Sequence, residues 1–163
     1  MNDEFSSDVS IETMSPMRVA CYQAASATPE EDAGRFMKEW YKRQNTGVLM
    51  RHFGFDVDVT PEEKKAGFRG YVVWITVPAG VQPSEGVAIR DFAGGLYAVM
   101  TLYHPMVDPF ARIPQGWKEL HEWVIGSSQY QSGEHQWMEE LVIREGSEDL
   151  ILYHPVTPAK GGA

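Results

Sequence analysis

The chain is nearly devoid of cysteine. Cys21 is the only one in 163 residues, which excludes an internal disulfide and a cysteine-rich zinc site. It sits in an apolar, strand-like run, so the expectation is a buried, inert thiol. No apolar run approaches the roughly 18 residues that a membrane-spanning helix needs. Met1 to Ser7 is acidic and polar, without the basic start and apolar stretch of a secretory signal. A cytoplasmic protein with no membrane partner is expected. Basic residues are scarce as well: 14 Lys and Arg stand against 23 Asp and Glu, for a net charge of −9. That field repels nucleic acid and draws cations weakly. The adjacent lysines, Lys64 and Lys65, directly follow Glu62 and Glu63, which offset them. The sequence argues against direct nucleic-acid binding. The five histidines (His52, His104, His121, His135, His154) show no ligand spacing, and no nucleophile elbow or phosphate loop is present. No metal or cofactor is expected. His121 and His135 flank a loop and read as surface residues.

What is present is an ordinary globular composition, 43% apolar and 23% charged, at a length that suits one domain with a substantial core. Val9 to Met14 alternates like a half-buried strand, and Met17 to Gln23 is a second strand. Thr28-Pro-Glu-Glu31 reads as a helix start with a capping box. Ala33, Phe36, Met37, Trp40 and Tyr41 follow at helical spacing, and the helix ends near Asn45-Thr-Gly47. Leu49 to Val57 is a third strand, interrupted by His52 and Gly54. Thr60-Pro-Glu-Glu63 resembles another helix start, but Gly67 arrives so soon that a short turn or loop is expected. Gly70 to Pro78 is a strand rich in branched and aromatic residues. A Pro/Gly linker, Ala79 to Gly86, follows.

The pattern then restarts. Val87 to Phe92 and Leu96 to Tyr103 are strands. A long loop with Pro105, Pro109 and Pro114 leads to a helix carrying Trp117, Leu120 and Val124 that stops near Gly126. Gln136 to Ile143 and Asp149 to Val156 form a hairpin, and the end from Lys160 onward is expected to fray. Val9, Ile11, Met14, Val19 and Ala20 align without gaps onto Val87, Ile89, Phe92, Tyr97 and Ala98, and Trp40 near the end of the first helix has a counterpart in Trp123. The fold class is therefore α+β, a single domain of two ββαββ halves, approximately 8–78 and 86–156. A groove between such halves is a natural ligand site.

These features resemble the GyrI-like family, the effector-binding domain also fused to multidrug-sensing activators of the AraC and MerR types. The resemblance lies in Ile11 to Ala20, Gly54-Phe-Asp56, Gly95-Leu-Tyr-Ala98, the Trp117 to Trp123 helix, and Trp137-Met-Glu-Glu-Leu141 before a strand ending in His154-Pro-Val156. It implies a central cleft with aromatic walls and a buried carboxylate facing lipophilic cations. No DNA-binding segment precedes Val9, so a stand-alone form is expected. The chain departs from the family at Leu141, where a tyrosine is usual, and in the long Pro-rich loop after Tyr103-His104.

Glu139 is the main candidate residue. On a strand, Trp137, Glu139 and Leu141 share one face, and Met138 and Glu140 share the other. A carboxylate on an inward face between Trp and Leu is costly unless paired or offered to a cation. The alternative is that Met138 and Val142 face the core and Glu139 faces water. The family match favours Glu139 over Glu140. Trp74, Tyr97 and Phe55 are candidate aromatic contacts, and each could equally pack in the core. Trp117 and Trp137 could wall the cleft, whereas Trp40 and Trp123 read as helix-to-sheet core. The leading expectation is a module that senses or sequesters bulky lipophilic cations. A hydrolase of strained cyclopropane-bearing toxins, using the pocket glutamate as base, is a second reading. A protein partner shielded from toxins is a third.

Overall fold

The computed structural model describes residues 5–160. The expected fraying of the chain end falls largely on 161–163, outside the described residues. The chain forms two compact units: a split unit of Met1–Ser15 with Ala93–Ala163, and a contiguous unit of Pro16–Phe92. The fold is α+β, and the order strand, strand, helix, strand, strand occurs twice, with short elements added.

In the contiguous unit the strands are β2 (Met17–Ser26), β3 (His52–Val57), β4 (Arg69–Thr76) and β5 (Ala88–Phe92), antiparallel in the order β3-β4-β2-β5. Helix α1 (Pro29–Gln44) carries Glu30, Glu31 and Asp32 in its first turn and Lys42 and Arg43 in its last, which matches the helix dipole. Asn45 ends it in the left-handed conformation. Ala33, Met37 and Trp40 of α1 pack on Ala20, Tyr71, Val73 and Ile75 of the sheet. Each large side chain so buried contributes about 1.5–3 kcal/mol. Gly54 interrupts the apolar pattern of β3 for a steric reason. A Cβ there would lie 2.0 Å from the Tyr71 hydroxyl, so the glycine makes room for Tyr71 to lie across the strand.

The expected capping box at Thr28 does not form. Thr28 has no side-chain cap bond; its hydroxyl, like that of Ser26, donates to Asp32 instead. The identical Thr-Pro-Glu-Glu run at Thr60 does build a capping box, and it starts a five-residue helix, α2 (Pro61–Lys65), where a turn or loop was expected.

In the split unit β1 (Ser10–Met14), β6 (Gly95–Leu102), β9 (Ser147–Pro158) and β8 (Met138–Arg144) are antiparallel in the order β1-β6-β9-β8, with β7 (Tyr130–Ser132) pairing the far end of β9. Each leading strand of the sequence halves thus pairs in the other half's sheet: β1 with β6, and β5 with β2. Helix α3 (Pro109–Ile125) starts earlier than the sequence suggests and contains Pro114. Pro114 removes the bond to the Phe110 carbonyl, and Phe110 is exposed, where water can serve that carbonyl instead. Leu120 and Val124 of α3 pack against Ala98, Met100, Leu102, Leu150, Leu152 and Val156. Trp123 is rotated off that stripe and is 39% exposed, unlike the fully buried Trp40; it is not the core residue expected.

Candidate functional site

Directly opposed residues of an antiparallel ladder point to the same side. In the split unit Glu139 is opposite Leu152 and Leu141 opposite Leu150, and both leucines pack against α3. Glu139 and Leu141 therefore stand on the face that α3 covers. Met138 and Glu140, opposite Tyr153 and Ile151, stand on the other. Trp137, Glu139 and Leu141 share a face, as the sequence predicts, and it is the face that α3 covers. Strand alternation shows which residues go together; the apolar stripe of α3 decides which set it covers.

Opposite α3, Glu140 is buried, and the Tyr153 hydroxyl donates to its Oε1 over 2.6 Å. The Tyr97 ring meets Tyr153 edge-on at 5.6 Å. The Tyr97 hydroxyl donates to the Gln136 carbonyl over 2.6 Å, and burial pushes its pKa upward, which keeps it a neutral donor. A buried carboxylate held by the Tyr153 phenol can meet a cation in surroundings where charge is weakly screened.

On the α3 face Trp137 lies 3.9 Å from the His154 ring and 5.8 Å from Trp117. His154 is fully buried. Its Nδ1–H donates to the Pro155 carbonyl over 2.8 Å, which leaves Nε2 to accept from His121 Nδ1–H over 2.9 Å. Burial is the main cause that lowers the His154 pKa; the Pro155 carbonyl opposes it. His121 is exposed yet paired, and His135 is half-buried, with its Nε2–H donating to the Leu96 carbonyl over 2.7 Å.

In the contiguous unit Trp74 is 4% exposed and points away from α1, since its neighbours Val73 and Ile75 face the helix. Phe55 meets it edge-on at 5.0 Å, Phe92 lies 5.2 Å away, and the Arg90 guanidinium is 5.9 Å from its ring. Its indole Nε1 has no hydrogen-bond partner. Cys21, opposite Trp74, is half-buried, and desolvation raises its thiol to about 11. It is inert at neutral pH, as expected, though less buried.

The structure thus sorts the expected residues into groups. Trp74 and Phe55 are together, Trp117, Trp137, Glu139 and Leu141 share the α3 face, and Tyr97 accompanies Tyr153. Glu140 is the glutamate that the sequence ranks second, and Tyr153, which alternates with Ile151 on the closing strand, is not among the expected residues. Among the described residues no group of three or more His, Cys, Asp or Glu is placed to hold a metal. Cavities of about 540 Å³ beside Leu102, Arg112 and Glu119 and about 490 Å³ beside Gln44, Val48 and Pro78 involve none of the expected residues.

Several solved structures share this fold. The C-terminal domain of EcmrR matches with a TM-score of 0.69 at 10% identity, over 93% of this chain and 98% of that one. Against the EcmrR chain in its complex with DNA, the match spans 58% of that chain. A hydrolase from Listeria innocua matches at 0.60 and 11% identity, over 92% of each chain. SAV2435 bound to tetraphenylphosphonium matches at 0.52 and 10% identity, over 93% of this chain and 94% of that one. No curated protein matches the sequence. The family model of the integron-associated effector binding proteins covers residues 10–156, and the chain belongs to that family of GyrI-like effector-binding domains.

Proposed function

We propose that this effector-binding domain takes up bulky lipophilic cations, with Glu140 as the charge that meets them. The observation that carries this reading is the buried Glu140 carboxylate, held on the sheet face opposite α3 by Tyr153, whose ring meets Tyr97 edge-on. Aromatic faces attract organic cations by about 0.5–2 kcal/mol each, and the net charge of −9 adds a weak general attraction. The related fold of SAV2435 holds tetraphenylphosphonium, a cation of this class. Affinity of about −8 kcal/mol, near micromolar, is expected. The test is a calorimetric titration of tetraphenylphosphonium into the wild type, E140Q and E139Q. E140Q keeps the shape and removes the charge, so affinity falls about tenfold or more. E139Q, on the α3 face, changes it less than about twofold. Equal binding of a neutral tetraphenyl analogue ends the electrostatic reading, and silence of E140Q with loss in E139Q returns the site to Glu139.

A second reading, hydrolysis of a strained cyclopropane-bearing toxin, gains one observation. The chain has Leu141 where the family has a tyrosine, but Tyr153 puts a phenol in hydrogen-bond contact with Glu140. A carboxylate and a phenol can position and deprotonate water. Incubation with such a toxin and product analysis decides it: intact substrate leaves binding alone.

A further inference from the structure

Trp74 Nε1–H is the one buried side-chain polar atom found without a hydrogen-bond partner among the described residues. Buried polar groups are paired in the great majority of cases, so an unmet indole donor marks a place where an acceptor is missing. Its surroundings explain the lack. Phe55 and Phe92 offer ring carbons, and the Arg90 guanidinium offers only donors.

The alignment of Ala20 with Ala98 makes the lack sharper. Cys21 opposite Trp74 corresponds to Val99 opposite Tyr153. Phe53 opposite Trp74 corresponds to Met138 opposite Tyr153, and Phe55 opposite Val72 to Glu140 opposite Ile151. Trp74 and Tyr153 are therefore equivalent aromatic donors at one register. Tyr153 has Glu140 as acceptor; at Glu140's position the contiguous unit has Phe55.

We infer that Trp74 Nε1–H is a recognition donor for an oxygen or nitrogen acceptor on a flat aromatic ligand group seated against Phe55 and Phe92. The Arg90 guanidinium disfavours a cationic centre at this place, so the group that docks here is neutral and electron-rich. The inference rests on the small-molecule reading of the domain but not on Glu140.

The test uses two phosphonium probes of one shape, (4-acetylphenyl)triphenylphosphonium and (4-isopropylphenyl)triphenylphosphonium. Their charge is the same, so their affinity ratio reports the acceptor alone. The wild type prefers the acetyl probe about fivefold, the worth of one neutral hydrogen bond, and W74F brings the ratio to one. Because the ratio is compared, packing lost in W74F cancels. The Trp74 indole proton resonance moves downfield with the acetyl probe and not with the isopropyl probe; contacts to Phe55 assign it if W74F fails to fold. Equal binding of both probes with the indole proton unmoved overturns the inference and leaves the small-molecule reading intact. Binding of neither overturns both.

Discussion

The two units carry an aromatic donor at the same register and treat it differently. Tyr153 in the split unit donates a hydrogen bond to Glu140 two residues along the neighbouring strand, whereas Trp74 in the contiguous unit finds Phe55 there. With Phe55 where the split unit has Glu140, the aromatic donor of the contiguous unit has no carboxylate to meet. One face offers charge already held in place; the other offers apolar area and one unmet N–H.

The largest test of this contrast lies beneath it, in the tryptophans near the ends of the two helices. Trp40 is fully buried in the contiguous unit, and its Nε1–H donates to Ser84 Oγ over 3.0 Å. W40A should cost about 3–5 kcal/mol in urea denaturation. W123A, at an exposed position, should cost less than about 1 kcal/mol. Similar losses from both would mean that the units bury their helices alike. Next in size is Y153F, which deprives the buried Glu140 of a donor and should cost about 1.5–3 kcal/mol. A loss below about 0.5 kcal/mol would show that Tyr153 holds Glu140 only weakly, and that the two faces differ less than their geometry implies.

The smallest effect is one of pH. His154 stands opposite Ala98 where Ile75 stands opposite Ala20, so this buried position titrates in the split unit alone. Its folded pKa lies below the ordinary 6.5, and the unfolded chain therefore takes up the proton first. Stability is untouched well above 6.5, declines as pH falls from there toward the depressed value, and levels off below it. The slope is no steeper than about 1.4 kcal/mol per pH unit. Urea melts of the wild type and H154Q across this range check it: the variant should lose that slope, and an identical slope in both would place the proton elsewhere.

Periodicity made most of the fold legible. The alternation of Val9 to Met14 and the branched run after Gly70 identify strands, and Ala33, Met37 and Trp40 at helical spacing identify α1 with its buried face. What sequence could not supply were choices between equivalents. Thr28 and Thr60 open the same four-residue run, but Asp32 takes the first hydroxyl. Pro114 reads as a breaker until the exposure of Phe110 shows that its lost bond is tolerable. Glu139 and Glu140 differ by one pleat, and only the docking of α3 onto Leu150 and Leu152 separates them. The Trp74 donor was visible as a residue, but its missing acceptor depends on the strand register with Phe55.

The pairing of β1 with β6 governs the order in which the molecule can be made. Every strand of the contiguous unit lies within Pro16–Phe92, so its sheet can close before β6 has been synthesised. Ser10 to Met14, made first, must wait through all of that unit for Gly95 to Val99. Such long-range closure is the slow kind of step in folding. β1 is thus among the last of these strands to be locked, and its unpaired backbone is open to chaperones and to mispairing during synthesis.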